Sequence, residues 1–147
     1  MNTETKLAEF VVAQAAVYHQ VCGELTAGRK KTHWIWFIFP QMAGLGFSSM
    51  SMKFGIASKA EAQSYLKHAV LGPRLLHCTA LMMALPDQNI RSILGSPDDL
   101  KFRSSMTLFA AAAPEEPIFA AALVKFFEGA GDPLTIRLLR EQGEESK

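Results

Sequence analysis

Apolar residues along this chain recur mostly at helical spacing. Leu7, Val11, Gln14, Tyr18, Val21 and Leu25 follow a 4-3-4-3-4 rhythm, with Phe10 and Val17 beside them. That pattern predicts one long amphipathic helix with a single polar residue, Gln14, in its seam, stopped by Gly28. Ser58-Lys59-Ala60-Glu61 has the spacing of a capping box and predicts a helix to about His68. Gly72-Pro73 ends that helix and opens another, with Pro73 in the first turn; Pro86 closes it. Asn89 caps a short turn over Ile90–Leu94, which Gly95 ends. Ser96-Pro97-Asp98-Asp99 reads as a cap, a proline and two acids at the positive end of a helix lasting to about Ala113. Phe102, Met106, Phe109 and Ala113 form its core stripe. Pro117 starts a helix through about Phe127, and Asp132-Pro133 starts a last one to about Gln142, leaving a tail from about Gly143 that is expected to fray.

One segment breaks the rhythm. Trp34 to Phe39 is a run of six large apolar residues that holds both tryptophans. A lone buried strand would leave its backbone groups without partners, so the run is read as a short buried helical turn capped by Thr32, with Pro40 at or past its end. No pair of alternating β-branched runs joined by a hairpin turn occurs, and no internal repeat or linker divides the chain. The expectation is a single all-α domain over residues 1–147, with about seven helices of unequal length.

Composition narrows the partners. The 147 residues are 49% apolar and 20% charged, ordinary for a globular protein, and the formal net charge is +1. That balance gives no electrostatic case for nucleic acid; Arg29-Lys30-Lys31 is a short basic run. The N-terminus has acidic residues and no signal-peptide pattern, and Trp34–Phe39 is far shorter than the roughly 20 residues that span a bilayer. A soluble cytoplasmic protein is therefore expected, with no membrane partner and with a monomer favoured. Cys22 and Cys78 fit no zinc or redox spacing. His19 and Cys22 make at most half of a metal site, so neither a metal nor a cofactor is implied.

The blocks AEFVVAQAAVY, EL-x2-GRKKTHWIWFIFPQMAGLG, EAQSYLKHAVLGPRL and DLKFRSSMTLF occur in this order over nearly the whole chain. They closely resemble the bacterial family called domain of unknown function 1810; HW-x-WF-x-FPQ and K-x-RSSMTLF are its specific motifs. Phe102 stands where the family pattern has an aliphatic residue. The resemblance implies a compact helical fold and supplies no established activity. Members often carry the label "calpastatin". Calpastatin is a repetitive, largely disordered inhibitor, whereas this chain has apolar periodicity and no inhibitor repeats, so the label does not fit.

Two polar-aromatic clusters are candidates for chemistry. His33, Trp34, Trp36 and Gln41 lie in or beside the apolar run and can line a pocket for a planar ligand. The plain alternative makes the tryptophans core and His33 a capping residue. Gln14 either bonds to the backbone of this segment or faces the ligand. Arg103, Ser104 and Thr107 share a helix face next to Leu100, with Lys101 and Ser105 on the flank. Three hydroxyls and two cations can hold a phosphate or carboxylate; close helix packing through small residues is the alternative. No dinucleotide fingerprint, nucleophile elbow or carboxylate pair is present. The reading is a pocket for a small anionic, partly aromatic metabolite, nucleotide-like compounds being the natural example. The alternatives are an enzyme acting on such a compound with His33 as general acid or base, and a helical interaction module.

Overall fold

The computed structural model describes residues 2–145. It is all-α: ten helices, with no strand among the described residues. They are α1 Thr3–Ala15, α2 Tyr18–Ala27, α3 Ile35–Ile38, α4 Ser49–Phe54, α5 Lys59–Lys67, α6 Leu71–Ala84, α7 Ile90–Leu94, α8 Asp98–Ala112, α9 Pro117–Phe127 and α10 Pro133–Glu145. No helix among the described residues is long and apolar enough to cross a membrane.

Against the expectation of about seven, the segments read as helical, the short turn at Trp34–Phe39 included, come to eight, and the structure adds two. The first predicted helix is two, parted at Ala16 and Val17, where Val17 leaves helical geometry (φ −127°, ψ −4°). No glycine or proline marks the break; tertiary packing selects it. α1 packs on α3, α5 and α6, and α2 on α6. Second, α4 is short and its apolar pattern too brief to register. Ser48 starts it by accepting a hydrogen bond from Ser51 N at 3.1 Å. A single parallel bridge, Met42 to Ile56, then closes the loop around α4. Ala43 N donates to Ile56 O and Ile56 N to Gln41 O, each at 2.8 Å.

Most predicted boundaries hold. Gly28 ends α2 in the left-handed conformation (φ +76°), which glycine adopts without strain. Ser58 and Asn89 accept the capping hydrogen bonds expected of them. Gly72 sits where a Cβ would lie 2.0 Å from Leu66 O, so the α5–α6 corner admits no side chain there. α8 departs from expectation at its start. Its N-cap position is Pro97, after a cis Ser96–Pro97 peptide, and Ser96 supplies no cap. α10 runs to Glu145, so Gly143 to Glu145 continue the helix. The rest of the tail expected to fray, Ser146 and Lys147, lies outside the described residues.

α8 is the central element, touching α3, α5, α7, α9 and α10. Two files of rings cross the core. One runs Phe37, Phe54, Phe10, Tyr65, Phe109, Phe119, with neighbouring centroids 5.1–5.6 Å apart. The other runs Trp34, Phe39, Phe102, Phe126, at 4.8–6.2 Å. Both lie within the favourable range for tilted and edge-to-face pairs. Phe102, the departure from the family pattern, is fully buried in the second file.

Candidate functional site

The segment before α3 has no regular structure of its own and is held by one carboxylate. Glu24, buried on α2, accepts hydrogen bonds from Lys31 N (2.6 Å), Thr32 N (3.0 Å), Thr32 Oγ1 (2.6 Å) and Trp34 Nε1 (3.0 Å). Burial alone would push its pKa up; the four donors outweigh burial and lower it to about 2. This corrects the role read for Thr32. Its hydroxyl serves Glu24, and the N-cap position of α3 falls on Trp34 with no side-chain cap. Glu24 is also the residue that sequence reasoning missed. The signal was present: a carboxylate beside Leu25 on the apolar seam of α2, shortly before a run of donors.

With this segment fixed, two cations are laid over the two indoles. Lys30 Nζ sits 5.0 Å from the Trp34 ring and Lys101 Nζ 4.4 Å from Trp36. Asp98, at the start of α8, joins them: its Oδ2 lies 2.8 Å from Lys30 Nζ and its Oδ1 3.3 Å from Lys101 Nζ. His33 is exposed at the rim, and Ile35 and Met50 complete a cleft of about 170 Å³. The tryptophans divide the roles that the sequence left open. Trp34 is 2% exposed and belongs to the core; Trp36 is half-buried on the cleft wall, where Gly46 passes close to its indole edge.

A second cleft, about 190 Å³, shares Lys101 as a lining residue. Gln41, Ser104, Leu100 and Asp132 are among its walls. Gln41 is 5% exposed, and its amide nitrogen is buried without a hydrogen-bond partner. Ser104 Oγ donates a hydrogen bond to Leu100 O at 3.1 Å.

The remaining candidates are placed elsewhere. Gln14 donates to Phe37 O (2.6 Å) and Tyr65 Oη (2.9 Å) and accepts from Arg74 (3.3 Å), so its amide ties α1 to α3, α5 and α6. Arg103 points away from both clefts: it donates to Ala130 O (2.9 Å) and Gly131 O (3.0 Å) and lies over Phe127. Thr107 donates to Arg103 O (2.7 Å) and accepts from Asp132 N (2.9 Å). Both fasten the turn before α10. Broader grooves of about 520 and 620 Å³ lie along Lys59 and Gln63 of α5 and contain none of the candidate residues. None of the buried unpartnered polar atoms found among the described residues lies on their walls. No cluster of metal-ligating side chains occurs among the described residues, and both cysteines are free.

The fold and this motif-bearing segment define a class. The family model described as "Protein of unknown function (DUF1810)" matches residues 4–139, and the chain belongs to that family. A solved structure, the conserved hypothetical protein Rv1873 from Mycobacterium tuberculosis, is similar at 51% identity with a TM-score of 0.90. The match covers 91% of this chain and 96% of that one. No curated protein matches the chain.

Proposed function

We propose that this protein binds a small anionic, partly aromatic metabolite at the paired clefts beside α3. One observation carries the reading: His33, Trp34, Trp36 and Lys101, from segments far apart in sequence, line one cleft with Lys30 and Asp98. An indole wall and a cationic edge suit a flat ring bearing negative charge. His33 stands at the rim, where it can donate to or accept from such a ligand. Gln41 and Ser104 belong to the same site through the adjoining cleft. Arg103, Thr107 and Gln14 support it at a distance by holding the elements that carry it.

The test is a thermal-shift screen of nucleotides, sugar phosphates and aromatic acids, with hits titrated by tryptophan fluorescence. A binder should raise the melting temperature and change the emission of Trp36. Lys101→Met and His33→Ala should each keep the fold and weaken binding by about one to two powers of ten, the worth of a charge-assisted hydrogen bond. A screen without a single hit would overturn the reading in favour of an interaction module.

A further inference from the structure

The two lysines that share Asp98 are held very differently. Lys30 is 7% exposed, pairs with Asp98 at 2.8 Å and donates to Thr32 O at 2.6 Å. Lys101 is 25% exposed, pairs at 3.3 Å, and otherwise rests only on the Trp36 face. Lys30 is a fixed strut; Lys101 is the cation that a ligand can recruit. If Lys101 leaves, Asp98 keeps Lys30, so no buried charge is orphaned. Its departure also uncovers the indole of Trp36.

Lys101 lines both clefts. At about 170 and 190 Å³, neither reaches the roughly 300 Å³ at which small-molecule sites begin. A ligand of ordinary size must span both, passing Lys101. Beyond it waits Gln41, a buried amide whose nitrogen has no partner; such groups in native proteins call for an explanation, and a ligand acceptor is one. The surrounding charge sets the kind of acceptor. Asp98 lines the first cleft and Asp132 the second. With Asp98 held by Lys30, one recruitable cation and one neutral donor beside Asp132 suit a single negative charge better than a double one.

Resting on the reading above, we propose that the ligand is an aryl monocarboxylate: its ring takes the place of the Lys101 ammonium on Trp36, and its carboxylate bridges Lys101 and the Gln41 amide. Phosphate monoesters are the disfavoured anion.

Calorimetric titration of the full chain with phenylacetate, phenyl phosphate and phenylacetamide tests this. Phenylacetate should bind at least about tenfold more tightly than the other two, a difference set by one charge-assisted contact. Gln41→Leu and Lys101→Met should each weaken it about tenfold or more. Gln41→Leu should not lower the melting temperature, because the amide nitrogen it removes has no protein partner. Should Gln41→Leu fail to fold, the isosteric Gln41→Glu, which sets a carboxylate against the ligand's own, should abolish phenylacetate binding. Equal or tighter binding of phenyl phosphate overturns the carboxylate assignment and leaves the pocket standing. Unchanged phenylacetate affinity in Gln41→Leu or Gln41→Glu overturns the role of Gln41. Binding of none of the three overturns this inference, while the broader reading falls only if the metabolite screen is also empty.

Discussion

Glu24 shows how one side chain shapes the site without touching its open space. A buried carboxylate is costly unless donors meet it, and here four do. Replacing it by glutamine turns an amide toward N–H groups that need an acceptor. Glu24→Gln should therefore cost about 2–3 kcal/mol near neutral pH. The folded pKa, about 2, lies below the ordinary value of 4.5, so this stabilisation is fully present above 4.5 and is lost as pH falls through that window. Glu61 acts in the same direction: burial raises its pKa, but Lys6 at 2.7 Å and Ala57 N at 3.0 Å outweigh burial and lower it. Urea midpoints of parent and Glu24→Gln should converge as pH drops from about 7 toward 2; a gap of constant size would show that the charge contributes nothing. At this scale the sequence was uneven. Gln14 was legible, because a polar residue in an apolar seam must find partners, and it finds Phe37 O and Tyr65. Glu24 was not singled out, because its partners, two backbone N–H groups and two side chains, belong to an irregular segment that no periodicity locates.

Helices announce themselves through caps and stripes, and where those signals were local the elements appeared as expected. Ser58, Asn89 and Asp132 all act at helix starts. What periodicity could not show was where a good helix must bend to serve two neighbours, as at Val17, or which face of α8 meets which partner. The polar face read as an anion site divides: Ser104 and Lys101 reach a cleft, whereas Arg103 and Thr107 turn to the loop at 130–132. A sequence gives the same wheel for both outcomes, because the loop arrives from far along the chain. Their role predicts a local effect. Thr107→Val removes the acceptor of Asp132 N and should cost about 1–2 kcal/mol. Amide exchange should quicken in α10 while α5 and α6 keep their protection. Uniform loss of protection would mean that the turn is not a separately fastened unit.

At the scale of the whole molecule, α8 decides whether the fold behaves as one body. The all-α class and the stripe Phe102, Met106, Phe109 were legible because a central helix must be apolar on several sides. The stacking order around it was not, since ring-to-ring contacts join residues with no sequence relation. Phe109 lies fully buried between Tyr65 and Phe119, each 5.6 Å away centroid to centroid. Phe109→Ala empties that place and should cost about 3–5 kcal/mol, the range for deleting a buried aromatic ring. Both tryptophans lie in the segment around α3, whose Phe37 is the far end of this file of rings, and α3 itself packs on α8. If α8 unites the molecule, unfolding of Phe109→Ala followed by far-ultraviolet circular dichroism and by tryptophan fluorescence should give coincident transitions, both shifted from the parent by the same amount. A fluorescence transition that stays at the parent midpoint while the dichroism shifts would show instead that the Glu24-held segment and its clefts form a cooperative unit of their own, stable without the aromatic file through Phe109.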